Sequence, residues 1–169
     1  QMTRADRGDH ERRIRFGGMD FFSDGKRAAL STWEGDVWIV SGIDDKLEKL
    51  TWKWFASGGF ETLGLKIVND VIYTTGRDQI TRYHDLNGDG EADYYENFNN
   101  EITSSPGFHE FVFDLHTDAQ GNFYTAKAGP VKGGGRGFGG GGGNGEISAS
   151  AGTLMKISYD GSRRETFAT

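Results

Sequence analysis

Cysteine is absent from this chain of 169 residues. That one absence excludes disulfides, thiolate zinc sites, a catalytic thiol and covalent attachment of a c-type haem, although it does not fix the compartment. Only 2 prolines interrupt the backbone, while 27 glycines supply tight turns between short strands. No run of 18 apolar residues and no signal-peptide apolar region occurs, so this stretch is expected neither to span a membrane nor to carry its own export signal. Basic residues are outnumbered, 19 against 25 acidic, and the net charge of −6 argues against a nucleic-acid partner. The G-x-S-x-G, H-E-x-x-H and P-loop signatures are all missing. The opening Gln1-Met2-Thr3 reads as the interior of a longer polypeptide, from which a leader has been removed or of which this is a section.

What is present is concentrated in one acidic stretch running from Asp85 to Glu96. Counting Asp85 as position 1, oxygen-bearing side chains fall at positions 1, 3, 5, 9 and 12: Asp85, Asn87, Asp89, Asp93 and Glu96. Glu91 at position 7 can offer its backbone carbonyl, and Gly90 takes the sharp turn at position 6. That is the spacing of the EF-hand calcium loop, because a hard divalent cation takes six to eight oxygens and alternate residues of a tight loop aim at one centre. One bound Ca2+ would relieve the crowding of carboxylates. His84 lacks a second histidine at ligand spacing and is expected to orient the loop. The flanks are β-branched and aromatic at Val71–Thr75 and Gln79–Tyr83, so the loop is expected on a β scaffold, where its ion pins a connection. A calcium sensor is disfavoured, since it needs flanking helices to open.

Residues 1 to about 15 are charged and aperiodic and read as an exposed lead-in. Beyond them a pattern of strand, tight turn, strand, short link and strand occurs three times, beginning at Gly18-Met19-Asp20, Gly64-Leu65-Lys66 and Phe111-Val112-Phe113. Met19, Leu65 and Phe113 stand 46 and 48 residues apart, in the range of about 40 to 50 residues for propeller blades. Fourth strands are visible at Leu50–Phe55 and Arg164–Phe167. The fold class expected is all-β: a portion of a β-propeller, about three four-stranded antiparallel blades in one partial domain over 1–169. The blade-like units span about 14–56, 60–100 and 108–169, with the calcium loop inserted between blades. Residues 94–110 are read as a long connection into the third unit. Three blades cannot close a ring of about four to eight, so the exposed edges are expected to meet the remainder of a larger propeller or neighbouring chains.

The glycine-rich segment 129–151 is expected to be a mobile loop, as it has little side-chain surface to offset its ordering entropy. A phosphate-cradling role would need the Gly-Lys-Ser/Thr ending and a following helix. Trp33, Trp38, Trp52 and Trp54 offer either a sugar-stacking platform or filling between blades, and the latter is expected.

Several stretches, among them Gly35-Asp36-Val37-Trp38, Gly76-Arg77-Asp78-Gln79, His84 through Asn100 and Phe108-His109-Glu110-Phe111, resemble the large secreted membrane-bound dehydrogenases of planctomycete-type bacteria. Their propeller is similar to those of sorbosone and soluble glucose dehydrogenases, which use pyrroloquinoline quinone. The resemblance implies an extracytoplasmic location (periplasmic or secreted), calcium, and oxidation of a sugar or aldehyde. Such chemistry needs a general base near the substrate carbon and cations on the quinone oxygens, roles for which His109 and the pair Arg77 and Arg136 are the candidates. Ser148-Ala149-Ser150-Ala151 stands where the resemblance leads one to expect a pair of histidines. The alternative is a non-catalytic propeller for protein or glycan binding or assembly, with calcium in a purely structural role.

Overall fold

The computed structural model describes residues 14–105, 109–129 and 148–169. Among the described residues, twelve strands form three separate four-stranded sheets, each an antiparallel meander in sequence order. The first contains β1 (Phe16–Phe21), β2 (Arg27–Thr32), β3 (Val37–Ser41) and β4 (Thr51–Ala56). β5 (Gly64–Val68), β6 (Val71–Thr75), β7 (Ile80–His84) and β8 (Tyr94–Asn99) make the second. The third comprises β9 (Val112–Thr117), β10 (Phe123–Lys127), β11 (Thr153–Ile157) and β12 (Arg164–Ala168).

Local chemistry sets the turns. Asn69 and Asp70 both adopt positive φ, 50° and 61°, which gives β5 and β6 a two-residue hairpin whose twist matches the strands. The Asp70 carboxylate then reaches the preceding sheet, accepting from Ser23 N at 2.7 Å and Ser23 Oγ at 2.6 Å. Asp24 nucleates the β1–β2 turn by accepting from the Lys26 and Arg27 amides.

The first strands of the three sheets lie against one another, and Leu63 and Phe113 form a parallel bridge at their starts. Glycine permits this approach: a Cβ on Gly18 would collide with the backbone of Gly64 and Leu65, and one on Gly64 with that of Asp114. Asp20 clasps β1 to β5, accepting the Ile67 amide at 2.9 Å and pairing with Lys66 at 2.7 Å. Burial pushes the Asp20 pKa up, but these partners outweigh it and hold the carboxylate ionised below its usual range.

Sheet faces make two cores. Ala29, Val37 and Phe55 of the first sheet pack on Leu65, Ile67, Ile72 and Tyr83 of the second. Tyr73, Ile80 and Phe98, from the opposite face of the second sheet, pack on Leu115, Phe123, Met155 and Ile157 of the third. At about 1.5–3 kcal/mol for each large side chain fully buried, these two interfaces dominate the stability. The second sheet is covered on both faces, whereas the first and third each use one.

The structure corrects three expectations. The acidic loop is not inserted between units; it joins β7 to β8 inside the second sheet. Residues 94–99 are not a connection but β8, whose alternating side chains pair with β7 from His84↔Tyr94 to Ile80↔Asn99. Phe113 is 45 % exposed and does not take the place of Leu65. Asp114, at φ 61°, breaks the alternation, and the buried residues of β9 are Val112 and Leu115.

Candidate functional site

Two places gather functional side chains, the first being the β7–β8 loop. Asp85 accepts the Gly88 amide at 2.7 Å through Oδ1 and the Gly90 amide at 2.8 Å through Oδ2. Asn87 Oδ1 takes the Asp89 amide at 2.8 Å, Asp89 Oδ1 the Glu91 amide at 2.9 Å, and Asp93 Oδ2 the Leu86 amide at 2.7 Å. Gly88 and Gly90, with φ of 76° and 83°, let the chain wind tightly enough for this. The loop also leans on the first sheet: the Ala92 amide donates to the Phe55 carbonyl at 2.8 Å, and Lys53 Nζ donates to the Asp89 carbonyl.

The six candidate metal ligands thus divide. Asp85, Asn87, Asp89 and Asp93 are wound into one loop, the Glu91 carboxylate turns toward Lys53 at 3.9 Å, and Glu96 stands apart on β8. There Glu96 faces Arg82 across the strands and accepts from Arg82 Nε and His84 Nε2, both at 2.7 Å. Burial raises the Glu96 pKa, but His84 and Arg82 more than reverse this and hold it below the ordinary value. Among the described residues, no group of three or more His, Cys, Asp or Glu side chains is drawn close enough to hold a metal. The donor set nevertheless suits a hard cation: a carboxylate has about four lone-pair sites, and the two amide bonds on Asp85 leave acceptor capacity.

The second place lies where the first strands begin. Arg77, on the β6–β7 link, has its Nε 3.3 Å from Glu61 Oε2. Its guanidinium carbon is 5.9 Å from the ring centres of both Phe60 and Phe111. Phe111 also meets Trp33 at 4.8 Å and His109 at 6.4 Å between ring centres. Arg15 covers Trp33 at 4.7 Å and pairs with Glu34 at 2.8 Å. His109 and Arg77, 32 positions apart, are therefore brought to one aromatic ring. Arg136 lies outside the described residues.

Sequence reasoning missed the ion pair beneath this platform. Lys127, at the end of β10, and Glu110, on the β8–β9 link, have fully buried side chains 3.7 Å apart. Lys127 Nζ donates to the Arg77 carbonyl at 2.9 Å and to Ser104 Oγ at 3.1 Å. Glu110 accepts from Ser105 Oγ at 2.6 Å and from the Ser148 amide at 3.2 Å. Burial would raise the Glu110 pKa, but these bonds lower it to about 2, while burial pushes Lys127 below its usual value. The pair ties β10 to two links and fixes the backbone of Arg77. Glu61, which neutralises Arg77, was missed as well; the expected partners of Arg77 were Asp78 and Asp114.

Fold and site together define an all-β protein of three antiparallel four-stranded sheets that converge on their first strands. No family model matches the chain, and no curated protein matches it. Among solved structures it is similar in fold to a Carbohydrate-Active Enzymes Family AA12 protein of Trichoderma reesei, determined as an iodide structure, with a TM-score of 0.55 and 14% identity. The likeness covers 68% of this chain and 30% of that one, so the chain corresponds to less than a third of its structural neighbour.

Proposed function

We propose that the chain is a calcium-binding section of an extracytoplasmic β-propeller, periplasmic or secreted, resembling quinone-dependent sugar or aldehyde dehydrogenases. Its three sheets are the blades, completed by the remainder of a larger propeller or by neighbouring chains. The observation that carries the reading is the Asp85–Asp93 loop, wound by its own carboxylate-to-amide bonds on a β scaffold. Asp85, Asn87, Asp89 and Asp93 would hold Ca2+ with the Glu91 carbonyl, and Glu96 could join only by leaving Arg82 and His84. A carbohydrate-active protein as fold neighbour agrees with a sugar substrate. Pyrroloquinoline quinone, when bound, supplies the two-electron acceptor; His109 would take the substrate proton, and Arg77 would orient the ligand against Phe111.

The second reading, a non-catalytic propeller for protein or glycan binding, is favoured by the neutralisation of Arg77 by Glu61 and by the complete burial of Lys127. Calorimetric titration of metal-stripped protein with calcium and then with pyrroloquinoline quinone separates the two. Binding of both, the second weakened by His109→Ala, supports the dehydrogenase; calcium alone leaves the scaffold. Asp89→Ala is expected to remove most of the calcium-dependent stabilisation, about 2.7 kcal/mol at 100 times the dissociation constant. Equal melting of mutant and parent in calcium would count against the site.

A further inference from the structure

Lys53 stands on the face of its strand where alternation calls for an apolar residue. Side chains alternate along β4, so Lys53 shares a face with Phe55, which is buried in the core between the first and second sheets. Its cross-strand partner Ile39 packs against the same core. The ammonium escapes burial at the rim, where the acidic β7–β8 loop comes over β4. There Lys53 Nζ donates to the Asp89 carbonyl and lies 3.9 Å from the Glu91 carboxylate. A Cβ on Gly90 would stand 3.2 Å from it, so the charge sits over the sharp turn of the loop. Two further bonds fix the approach: the Ala92 amide donates to the Phe55 carbonyl at 2.8 Å, and the Ser57 amide to Tyr95 Oη at 3.0 Å.

The loop has little other positive charge. Asp85, Asp89, Glu91 and Asp93 bring their carboxylates into one tight winding, while Arg82 and His84, the nearest basic residues in sequence, both bond Glu96. Among the described residues, no Lys, Arg or His besides Lys53 pairs with a carboxylate between Asp85 and Asp93. In the metal-free loop this one tethered cation offsets part of the carboxylate repulsion. Once a divalent ion enters, the same ammonium is a like charge at close range.

Resting on the calcium reading, we infer that Lys53 is a resident cation of the acidic loop, steadying the metal-free form and lowering its affinity for calcium. Lys53 belongs to the first sheet and the loop to the second, so calcium affinity is coupled to how closely those two sheets meet. By linkage, calcium weakens the Lys53 contact by the same factor as Lys53 weakens calcium binding. A lysine that only braced the loop in its binding shape would act in the opposite sense. One that only guarded an edge strand with an inward charge would leave calcium affinity unchanged.

The test is calorimetric titration of calcium into the metal-stripped full chain, as parent, Lys53→Met and Lys53→Arg, at low and high salt. Lys53→Met is expected to bind calcium about 5-fold more tightly at an ionic strength of about 0.01 M. At about 1 M, where the screening length is about 3 Å, that gain should shrink below about 2-fold. Lys53→Arg keeps the charge and should stay within about 2-fold of the parent at both salts. Melting of the same samples supplies a second readout: without calcium, Lys53→Met should melt below the parent, and saturating calcium should narrow or reverse that order. The side chain is 47% exposed, so all three proteins should share one circular dichroism spectrum. Calcium binding by Lys53→Met that is equal to or weaker than the parent's would overturn the inference and leave the loop as a calcium site. Calcium binding by none of the three would overturn the calcium reading, and the inference with it.

Discussion

Phe123→Ala is expected to destabilise the protein by about 3–5 kcal/mol. Phe123 is 2% exposed, and its ring lies 4.9 Å from that of Tyr73 and 5.2 Å from that of Phe98. Both partners belong to the second sheet, so this one side chain of β10 joins two sheets through a three-ring cluster. Truncation removes the transfer energy of the ring and leaves a cavity walled by rigid aromatic groups, which collapse poorly. Ring pairs of this geometry add about 0.5–1.5 kcal/mol beyond the area they bury. The loss is a large part of the roughly 5–15 kcal/mol by which a domain is stable. Urea unfolding should show a lower midpoint at unchanged slope. A loss under about 1 kcal/mol would mean that the second and third sheets are not packed through this cluster.

Lys127→Met should destabilise the protein by a similar amount, about 3–5 kcal/mol, for a different reason. The methionine fills much of the space but leaves the fully buried Glu110 carboxylate without its cation. Lys127→Met combined with Glu110→Gln should recover part of the loss, since no uncompensated charge then remains. The pH dependence follows from the Glu110 pKa, lowered from 4.5 to about 2. A carboxylate whose pKa falls on folding contributes stability above its unfolded value, and that contribution is lost as the pH drops from about 4.5 toward 2. Burial has the opposite consequence for Lys127: with its pKa lowered on folding, its charged form opposes folding below the folded pKa, and that opposition fades as the pH rises toward 10.5. Midpoints of urea unfolding between pH 2 and 7 should fall more steeply in the parent than in Glu110→Gln. Parallel curves would remove Glu110 from the account.

The strands and their order were largely legible, because alternation and turn chemistry are local properties. Asn69-Asp70 between β-branched runs foretells a hairpin, and the structure has one there. β8 was missed for a reason of the same kind. Tyr94, Tyr95 and Glu96 fall at loop positions 10 to 12, and ligand spacing counts them as loop, whereas pairing with β7 makes them strand. Whether Glu96 faces a loop centre or Arg82 depends on that pairing, which no window of sequence contains. Lys127 was unreadable for a longer-range reason. A lysine ending a strand normally reaches water, and only the arrival of the Arg77 carbonyl and the Ser104 hydroxyl from two distant links encloses it. Similarly, the four tryptophans look alike in sequence but separate in space: Trp33 meets Phe111, while Trp38 and Trp54 stack on the far face of the first sheet.

The meander order has a consequence for how the chain is made. Every pairing within a sheet joins strands consecutive in sequence, so apart from the long β10–β11 connection the loops to be closed are short and their entropic cost is low. Contacts of this local kind favour fast folding for an all-β chain. During synthesis the first sheet can complete its ladder while β9 to β12 are still within the ribosome. Its inner face must then wait for the second sheet, and that face is the surface a chaperone would meet first.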